Sequence, residues 1–382
     1  MLYWQIYFLC IVILTLFYGW VISYITQAWI GKKPEDQLNE LLEAVTVVVI
    51  AKDESQNIQS CLKSILSNPV ELLHQIIIVD DHSDDDTITQ IEALAHPKIK
   101  ILQLSNYPDL AQYGSSYKKS GLHYALNHCE TQWVMTTDGD CIVRNSWIEA
   151  MLNKAEQGKS DMLTGPIVLR GNDSVLQRWQ SIEMMGTMAG TMAGIESDSY
   201  HSANAANMLF QKADYLGYLE AETHNYASGD DVFFVQWMAK NGKRLGFIKD
   251  YKAIVTTGVE STLRGLYQQR LRWSTKTMAY PDIGMKLFMA LIFLFHALIF
   301  INFLLAGVLM NSWLLYAGLI MLLVKAILDF RLLHRLKSFF DYPYSLTKGF
   351  FNMIFLHSLY ILLIGINGLF VRNYIWKGRK VR

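Results

Sequence analysis

Four nearly uncharged apolar tracts bracket a long polar stretch in this chain: residues 6–26 on one side, and residues 287–310, 312–328 and 350–371 on the other. Each approaches the ~20 apolar residues that a helical membrane span needs, so the polar stretch between them must build its own core. A cleaved signal peptide would place a basic segment before the first tract and a small-residue cleavage site after it. Met1 to Gln5 carry no basic residue and no Ala-x-Ala follows, so residues 1–30 are expected to be a retained anchor. Gly31-Lys32-Lys33 then marks the cytosolic side, because positive charge collects there beside spans. Residues 31–44 read as a linker, 45–275 as the polar domain, and 276–382 as a C-terminal membrane region with two or three spans and a basic tail. Arg331, Arg335, Lys337 and Lys348 give the segment between the last two tracts a cytosolic signature, and the tail from Arg372 to Arg382 is also basic. A single crossing by 350–371 cannot satisfy both. Either that segment is re-entrant or interfacial, or the tail departs from the charge rule.

With 52% hydrophobic residues, the 382-residue chain can fill a large core and still supply spans. Its formal net charge is zero, which leaves no global basic field, and nucleic acid is not expected as a partner. Cys10, Cys61, Cys129 and Cys141 are scattered, with no CxxC pair and no zinc spacing, and read as reduced core or membrane residues.

Within the polar domain, Val45 to Ala51 is a short β-branched apolar run, as a strand buried on both faces requires. Lys52 to Asn57 breaks it, and Ile58 to Leu66 has helical spacing. Gln75 to Asp80 reads as the next strand, Thr87 to Ala95 as a helix, and Ile99 to Leu104 as a third strand. Strands alternating with helices predict a doubly wound α/β sheet, in which ligands bind beyond the carboxyl ends of the strands. Asp80-Asp81 falls at such an end, as does Asp138-Gly139-Asp140 after the run Trp133 to Thr137. No GxGxxG follows the first strand and no GxxxxGK[ST] occurs, which disfavours a Rossmann dinucleotide site and a P-loop. What remains is a sheet that binds a nucleotide through acids and a metal.

Asp138 and Asp140, one residue apart, can address different groups of one ligand, one the ribose and the other a hard divalent cation. Mg2+ and Mn2+ favour oxygen donors, and Mg2+ is commonly shared with substrate phosphates. A tight turn is the plain alternative, and the position directly after a buried strand favours the ligand role. In the run Asp80 to Asp86, the last three acids suit a solvated loop and helix cap, whereas Asp80 and Asp81 touch the strand end. Lys118-Lys119 opens a helix over Ser120 to His128, where a cation either meets a diphosphate or faces solvent. Asp230 and Asp231 precede a helix running to Lys240: Asp230 fits a cap, and Asp231 fits a general base for an acceptor hydroxyl. Gln269, Arg272 and Trp273 have i, i+3, i+4 spacing and share one helix face. An Arg beside an amide can clamp diphosphate oxygens, and a Trp can stack on a sugar. The other reading is a basic amphipathic helix on the membrane surface, with Leu263, Leu266, Tyr267 and Leu271 as its apolar side.

Together these segments resemble the family 2 glycosyltransferases, inverting enzymes with a GT-A fold, in their membrane-integrated form. The resemblance covers roughly residues 45–275. It rests on Ala51-Lys52-Asp53-Glu54, Val79-Asp80-Asp81-His82-Ser83, Thr137-Asp138-Gly139-Asp140, Ser228-Gly229-Asp230-Asp231 and Gln269-Arg270-Leu271-Arg272-Trp273. It implies an α/β GT-A nucleotide-sugar-binding domain, with a mostly parallel sheet and helices on both faces, flanked by transmembrane helices. It further implies that Asp81, with Asp80, contacts the nucleoside. Asp138 and Asp140 become the DxD pair, Asp140 foremost as ligand for Mg2+ or Mn2+, and Asp231 the base that deprotonates the acceptor. Gln269, Arg272 and Trp273 become a QxxRW element by the diphosphate and acceptor, and Lys119 matches a donor-binding position only loosely. Between Ala203 and Met208, Ala205 stands where the family often has Gly, which leaves Asn204 and Asn207 without an assigned role.

The activity so implied is an inverting transfer of a sugar from a nucleotide diphosphate, a UDP-sugar foremost, to a lipid, lipid-linked or glycan acceptor. It would proceed by one in-line displacement at the sugar C1. One alternative is a processive polysaccharide synthase of the cellulose, chitin or hyaluronan type. Another is a non-catalytic membrane scaffold or lipid carrier, against which the intact acid set argues. The implied location is the cell membrane, with the sheet domain facing the cytosol.

Overall fold

The computed structural model describes residues 2–31, 42–108, 116–221, 226, 228–351, 353–371, 374–376 and 379–381. Most of the linker expected at 31–44 and much of the basic tail lie outside the described residues. In chain order, α1 (Leu2–Gly31) is followed by β1 (Val45–Ala51), α2 (Ile58–Leu66), β2 (Leu73–Asp80), α3 (Thr87–Glu92), β3 (Ile99–Gln103), α4 (Tyr117–Asn127), β4 (Trp133–Asp138) and α5 (Trp147–Gly158). Then come β5 (Met162–Thr164), β6 (Ile167–Arg170), α6 (Val175–Glu196), β7 (Met208–Gln211), α7 (Lys212–Ala221), α8 (Asp230–Lys240), β8 (Leu245–Phe247) and β9 (Val255–Gly258). The chain continues through α9 (Leu263–Ser274), α10 (Ile283–Leu309), α11 (Ser312–Leu336), α12 (Leu346–Phe351) and α13 (Ile354–Phe370) to the hairpin strands β10 (Tyr374–Trp376) and β11 (Arg379–Val381). Packing divides it into two compact units. One comprises Pro34–Arg170, His201–Val259 and Asn373–Arg382; the other comprises Met1–Lys33, Gly171–Tyr200 and Glu260–Arg372.

The first unit is built on a seven-stranded sheet in the order β3-β2-β1-β4-β7-β5-β8. β1, β2, β3 and β4 are parallel, as the strand–helix alternation predicts, and β7 runs antiparallel to both β4 and β5. The β-branched residues of β1 explain its central place: Val45, Val47, Val48 and Val49 are buried, as a strand covered on both faces must be. α2 buries Ile58, Cys61, Leu62 and Ile65, an i, i+3, i+4, i+7 stripe. Each such large apolar side chain contributes about 1.5–3 kcal/mol on leaving water. The chain runs from β1 to β2 on one side and later returns to place β4 on the other. The β1–β4 border is therefore the switch point at which such sheets open a crevice.

The second unit gathers the apolar helices. Leu2–Ile30, Ile283–Leu309 and Ser312–Leu336 are each long and apolar enough to cross a membrane. The tract expected at 350–371 is divided, with α12 ending at Phe351 and α13, of 17 residues, falling short of that length. α10 and α11 meet where expected. Met310 takes a left-handed backbone (φ 49°), and the Asn311 side chain accepts from the Trp313 N–H to cap α11. One polar cluster inside this unit ties α1 to α11: Tyr18 donates to Asp329 Oδ1 at 2.7 Å, and Lys325 lies 2.5 Å from Asp329 Oδ2. α6 and α9, read from sequence as parts of the polar domain, pack in this unit.

Candidate active site

Parallel register brings the acids of the sheet to one edge. Ala51, the last residue of β1, pairs with Asp80 at the end of β2, and Ile50 beside it pairs with Asp138 at the end of β4. The turns that follow are tight: Asp53 and His82 both adopt left-handed backbone, at φ 52° and 55°. Lys52 Nζ donates to the His82 carbonyl at 2.6 Å, and the Asp81 N–H donates to the Ala51 carbonyl at 2.8 Å, tying these turns together. Both Asp80 and Asp81 are buried. Asp81 Oδ1 lies 3.0 Å from His82 Nδ1. Asp80 Oδ2 accepts from the Ser83 N–H, whereas its Oδ1 is buried with no hydrogen-bond partner among the described residues. A buried acceptor left so is costly, and a ligand donor would satisfy it.

Asp138, Asp140 and Cys141 offer ligand atoms within 4.8 Å of one another. Gly139 between the acids allows a close approach, since a Cβ there would lie 3.2 Å from Glu54 Cγ. Asp140 Oδ2 accepts from the Thr257 hydroxyl on β9 at 2.9 Å, and β9 is held in place by a backbone bridge from Thr256 to Ile142. Burial first, and then the charge of Asp138, holds the Asp140 carboxyl above its ordinary value, with the Thr257 hydroxyl acting in the opposite direction. Burial likewise pushes the Cys141 thiol well up, with Asp138 and Asp140 adding to the effect, so it stays a protonated, soft donor. The pair that suits a hard cation is therefore Asp138 with Asp140. Positive charge is already drawn there, because Lys118 Nζ sits 2.6 Å from Asp138 Oδ1. The residues thus fit a divalent cation.

Asp231 is joined to this edge through the backbone. Gly229, at φ 93°, makes the left-handed turn that opens α8. Asp231 Oδ2 accepts from the Ala205 N–H at 3.0 Å, and the Ala205 carbonyl accepts from Thr136 Oγ1 at 2.6 Å, two residues before Asp138 on β4. Asp230 Oδ2 accepts from Ser116 Oγ at the start of α4, the helix whose first turn carries Lys118. Asp138, Lys118, Asp230 and Asp231 therefore belong to one continuous run of contacts. The residue that stands in a glycine position, Ala205, uses both its peptide groups in that run. Asn204 caps the following turn through the Ala206 N–H. Asn207 is fully buried, accepting from Trp147 Nε1 at 2.9 Å and donating to the carbonyls of Pro166 and Ala253. Its role is to hold loops together rather than to meet a ligand.

Of the adjacent lysines, Lys118 reaches the acid pair, while Lys119 is 1% exposed with its Nζ 5.2 Å from the Tyr218 ring centroid. Sequence reading weighed Lys118 together with Lys119 but kept only Lys119 as a site residue, quoted Glu54 without a role, and missed Thr257. Lys118 was readable as the neighbour of Lys119, but Thr257 lies more than a hundred residues from Asp140 and carries no local signal. Gln269, Arg272 and Trp273 lie on α9, in the unit of the apolar helices. Gln269 Oε1 accepts from Arg270, the Arg272 carbonyl accepts from Lys276 Nζ, and Trp273 is 36% exposed.

Residues 46–217 match the family described as Glycosyl transferase family 2, and residues 133–369, well over half of the chain, match Glycosyl transferase family group 2. The chain is 26% identical over 253 residues to the poly-beta-1,6-N-acetyl-D-glucosamine synthase of Staphylococcus aureus (strain COL), covering 64% of this chain and 57% of that relative. It is 23% identical over 273 residues to the Staphylococcus epidermidis protein of the same name, covering 67% and 61%. It thus spans 57–61% of the length of these curated relatives. Among solved structures, the mannosyltransferase PcManGT from Pyrobaculum calidifontis, in complex with GDP-Man and Mn2+, aligns over 94% of this chain and 93% of its own. The TM-score is 0.54 at 16% identity, a likeness of fold.

Proposed function

This chain belongs to glycosyl transferase family group 2, and on that premise we propose that it is a membrane-bound inverting transferase. It moves a sugar from a nucleotide diphosphate, a UDP-sugar foremost, to a lipid-linked or glycan acceptor at the cytosolic face of the cell membrane. The observation that carries the reading is the run joining Asp138 and Asp140 to Asp231 across the carboxyl edge of β4. In this reading Asp80 and Asp81 receive the nucleoside, and the partnerless Asp80 oxygen takes a donor from it. Asp138 and Asp140 hold Mg2+ or Mn2+, which when bound neutralises the departing diphosphate. Asp231 accepts the proton of the acceptor hydroxyl, its carboxylate kept in place by the Ala205 N–H. Gln269, Arg272 and Trp273 serve the diphosphate and acceptor, while Lys119, sealed against Tyr218, supports the site from within.

One finding favours a polymer as product: the curated relatives are named as synthases of poly-beta-1,6-N-acetyl-D-glucosamine. The test is nucleotide diphosphate release by the protein in lipid with Mn2+ and a panel of nucleotide sugars, with and without a membrane-lipid extract. Release from one donor, lost in Asp140→Ala, supports the reading and names the donor. Wild type indistinguishable from Asp140→Ala on every donor would remove it. Product length on a gel then separates single transfer from repeated addition.

A further inference from the structure

α9 carries Arg264, Arg270 and Arg272, and the one that is buried is not the one in the QxxRW pattern. Arg270 is 3% exposed. Its Nη2 and Nε lie 2.6 and 3.2 Å from Glu183 Oε2, and its Nη1 donates to Gln269 Oε1 at 2.7 Å. Arg270 Cζ lies over the Trp273 ring, 4.2 Å from its centroid. A single cation thus engages two of the three pattern residues, Gln269 by a hydrogen bond and Trp273 over its ring.

Its own orientation comes from two further helices. Glu183, on α6, accepts from the Tyr360 hydroxyl on α13 at 2.9 Å through its other oxygen. Gln180 stands three residues before Glu183, on the same face of α6. Its side chain bonds both the N–H and the carbonyl of Glu260, whose carboxylate takes the Gln269 amide at 3.4 Å. α13 also approaches α9 at its far end, where a Cβ on Gly368 would lie 2.6 Å from Ser274 Oγ. Burying an ion pair costs desolvation, and a well-packed apolar trio would hold three helices as firmly. What the ionic trio adds is direction, because the guanidinium fork and plane fix their partners at set angles.

We propose that Glu183, Arg270 and Tyr360 form a positioning triad that sets the orientation of Gln269 and Trp273 and so governs how the acceptor is held. The proposal rests on the transferase reading above, in which Trp273 meets the acceptor. The test uses the full chain in lipid nanodiscs with UDP-N-acetylglucosamine, or the other panel donor that supports release, and a short β-1,6-linked N-acetylglucosamine oligomer as acceptor probe. Wild type is compared with Arg270→Lys, Glu183→Gln and Tyr360→Phe. Lysine keeps the charge and loses both fork and face. The acceptor KM is expected to rise about tenfold or more in the first two variants, as misplacement of a contact does. A smaller rise is expected in Tyr360→Phe, which removes one hydrogen bond. The donor KM and the thermal unfolding midpoint of Tyr360→Phe are expected to stay near wild type. Acceptor KM values equal to wild type in all three variants overturn the triad, as does a parallel fall of kcat, both affinities and the unfolding midpoint. A wild type that transfers from no donor defeats the transferase reading itself, and the triad with it.

Discussion

Thr257 offers the sharpest test of the acid pair. Its hydroxyl donates to Asp140 Oδ2 at 2.9 Å, while the other carboxylate oxygen has only a long contact from the Cys141 thiol, at 3.7 Å, as a side-chain donor among the described residues. Thr257→Val keeps the volume and the β-branched shape, so β9 and its pairing with β6 survive. The variant removes one hydrogen bond to a charged group, worth about 1.5 kcal/mol at the low end, which corresponds to roughly tenfold in an equilibrium constant. Outer-shell partners of metal ligands cost about 10–100-fold in affinity when lost, and the two estimates meet near tenfold. The expected result is a Mn2+ midpoint for nucleotide diphosphate release about tenfold higher in Thr257→Val. Thr257→Ser, which keeps the hydroxyl, is expected to stay close to wild type. The assay is release at saturating donor across a Mn2+ titration, with free Mn2+ followed by its electron paramagnetic resonance signal. A valine variant with the wild-type midpoint, or a serine variant as impaired as valine, would refute the idea that Thr257 sets the carboxylate.

Other changes probe other parts of the same edge. Lys118→Met removes the ammonium that lies on Asp138; the Mn2+ midpoint is expected to fall, and a rise would mean that Lys118 serves the donor rather than competing with the cation. Asp231→Asn is expected to abolish transfer while donor binding, read by isothermal titration, stays near wild type; normal turnover would sink the base assignment. Asn207→Leu strands three buried partners, Trp147 Nε1 and the carbonyls of Pro166 and Ala253. At about 1 kcal/mol or more each, the thermal midpoint in detergent is expected to drop by several degrees, and an unchanged midpoint would show that Asn207 holds nothing.

How far the sequence carried the reading depended on the range of each interaction. β1 was legible to the residue because a run of Val and Ile bounded by Lys52 and Asp53 has few other uses. Asp80 and Asp138 were placed at strand ends for the same reason, and their register across β1 followed. The antiparallel β7 gave no such signal, since Met208–Gln211 is too short to show a period. Asn207 stayed unassigned because its partners, Trp147, Pro166 and Ala253, lie far away along the chain, whereas Asn204 makes only a local turn to the Ala206 N–H. The lysine pair could be located but not divided: which of two neighbours turns toward Asp138 is decided by packing of α4, and Tyr218 takes the other. Hydropathy found α10 and α11 and overran α13, because Phe350 and Phe351 at the end of α12 continue the apolar composition into it.

A ribosome finishes α6 at Glu196, but the remainder of its unit, apart from α1, begins only at Glu260. At about 5–20 residues per second, several seconds pass in which the face bearing Met184, Met185, Met188 and Met192 has only the N-terminal helix to shelter it. Meanwhile the seventh strand of the sheet is complete by Phe247, so the seven-stranded sheet can form before the later helices of the other unit are made. The same interleaving bears on dissection. A fragment trimmed to residues 45–275 keeps α6 and α9 but loses every long helix of their unit, and it would carry into water an apolar surface that the intact chain never shows. The sheet of this protein cannot be lifted from its membrane helices by cutting where the hydropathy changes.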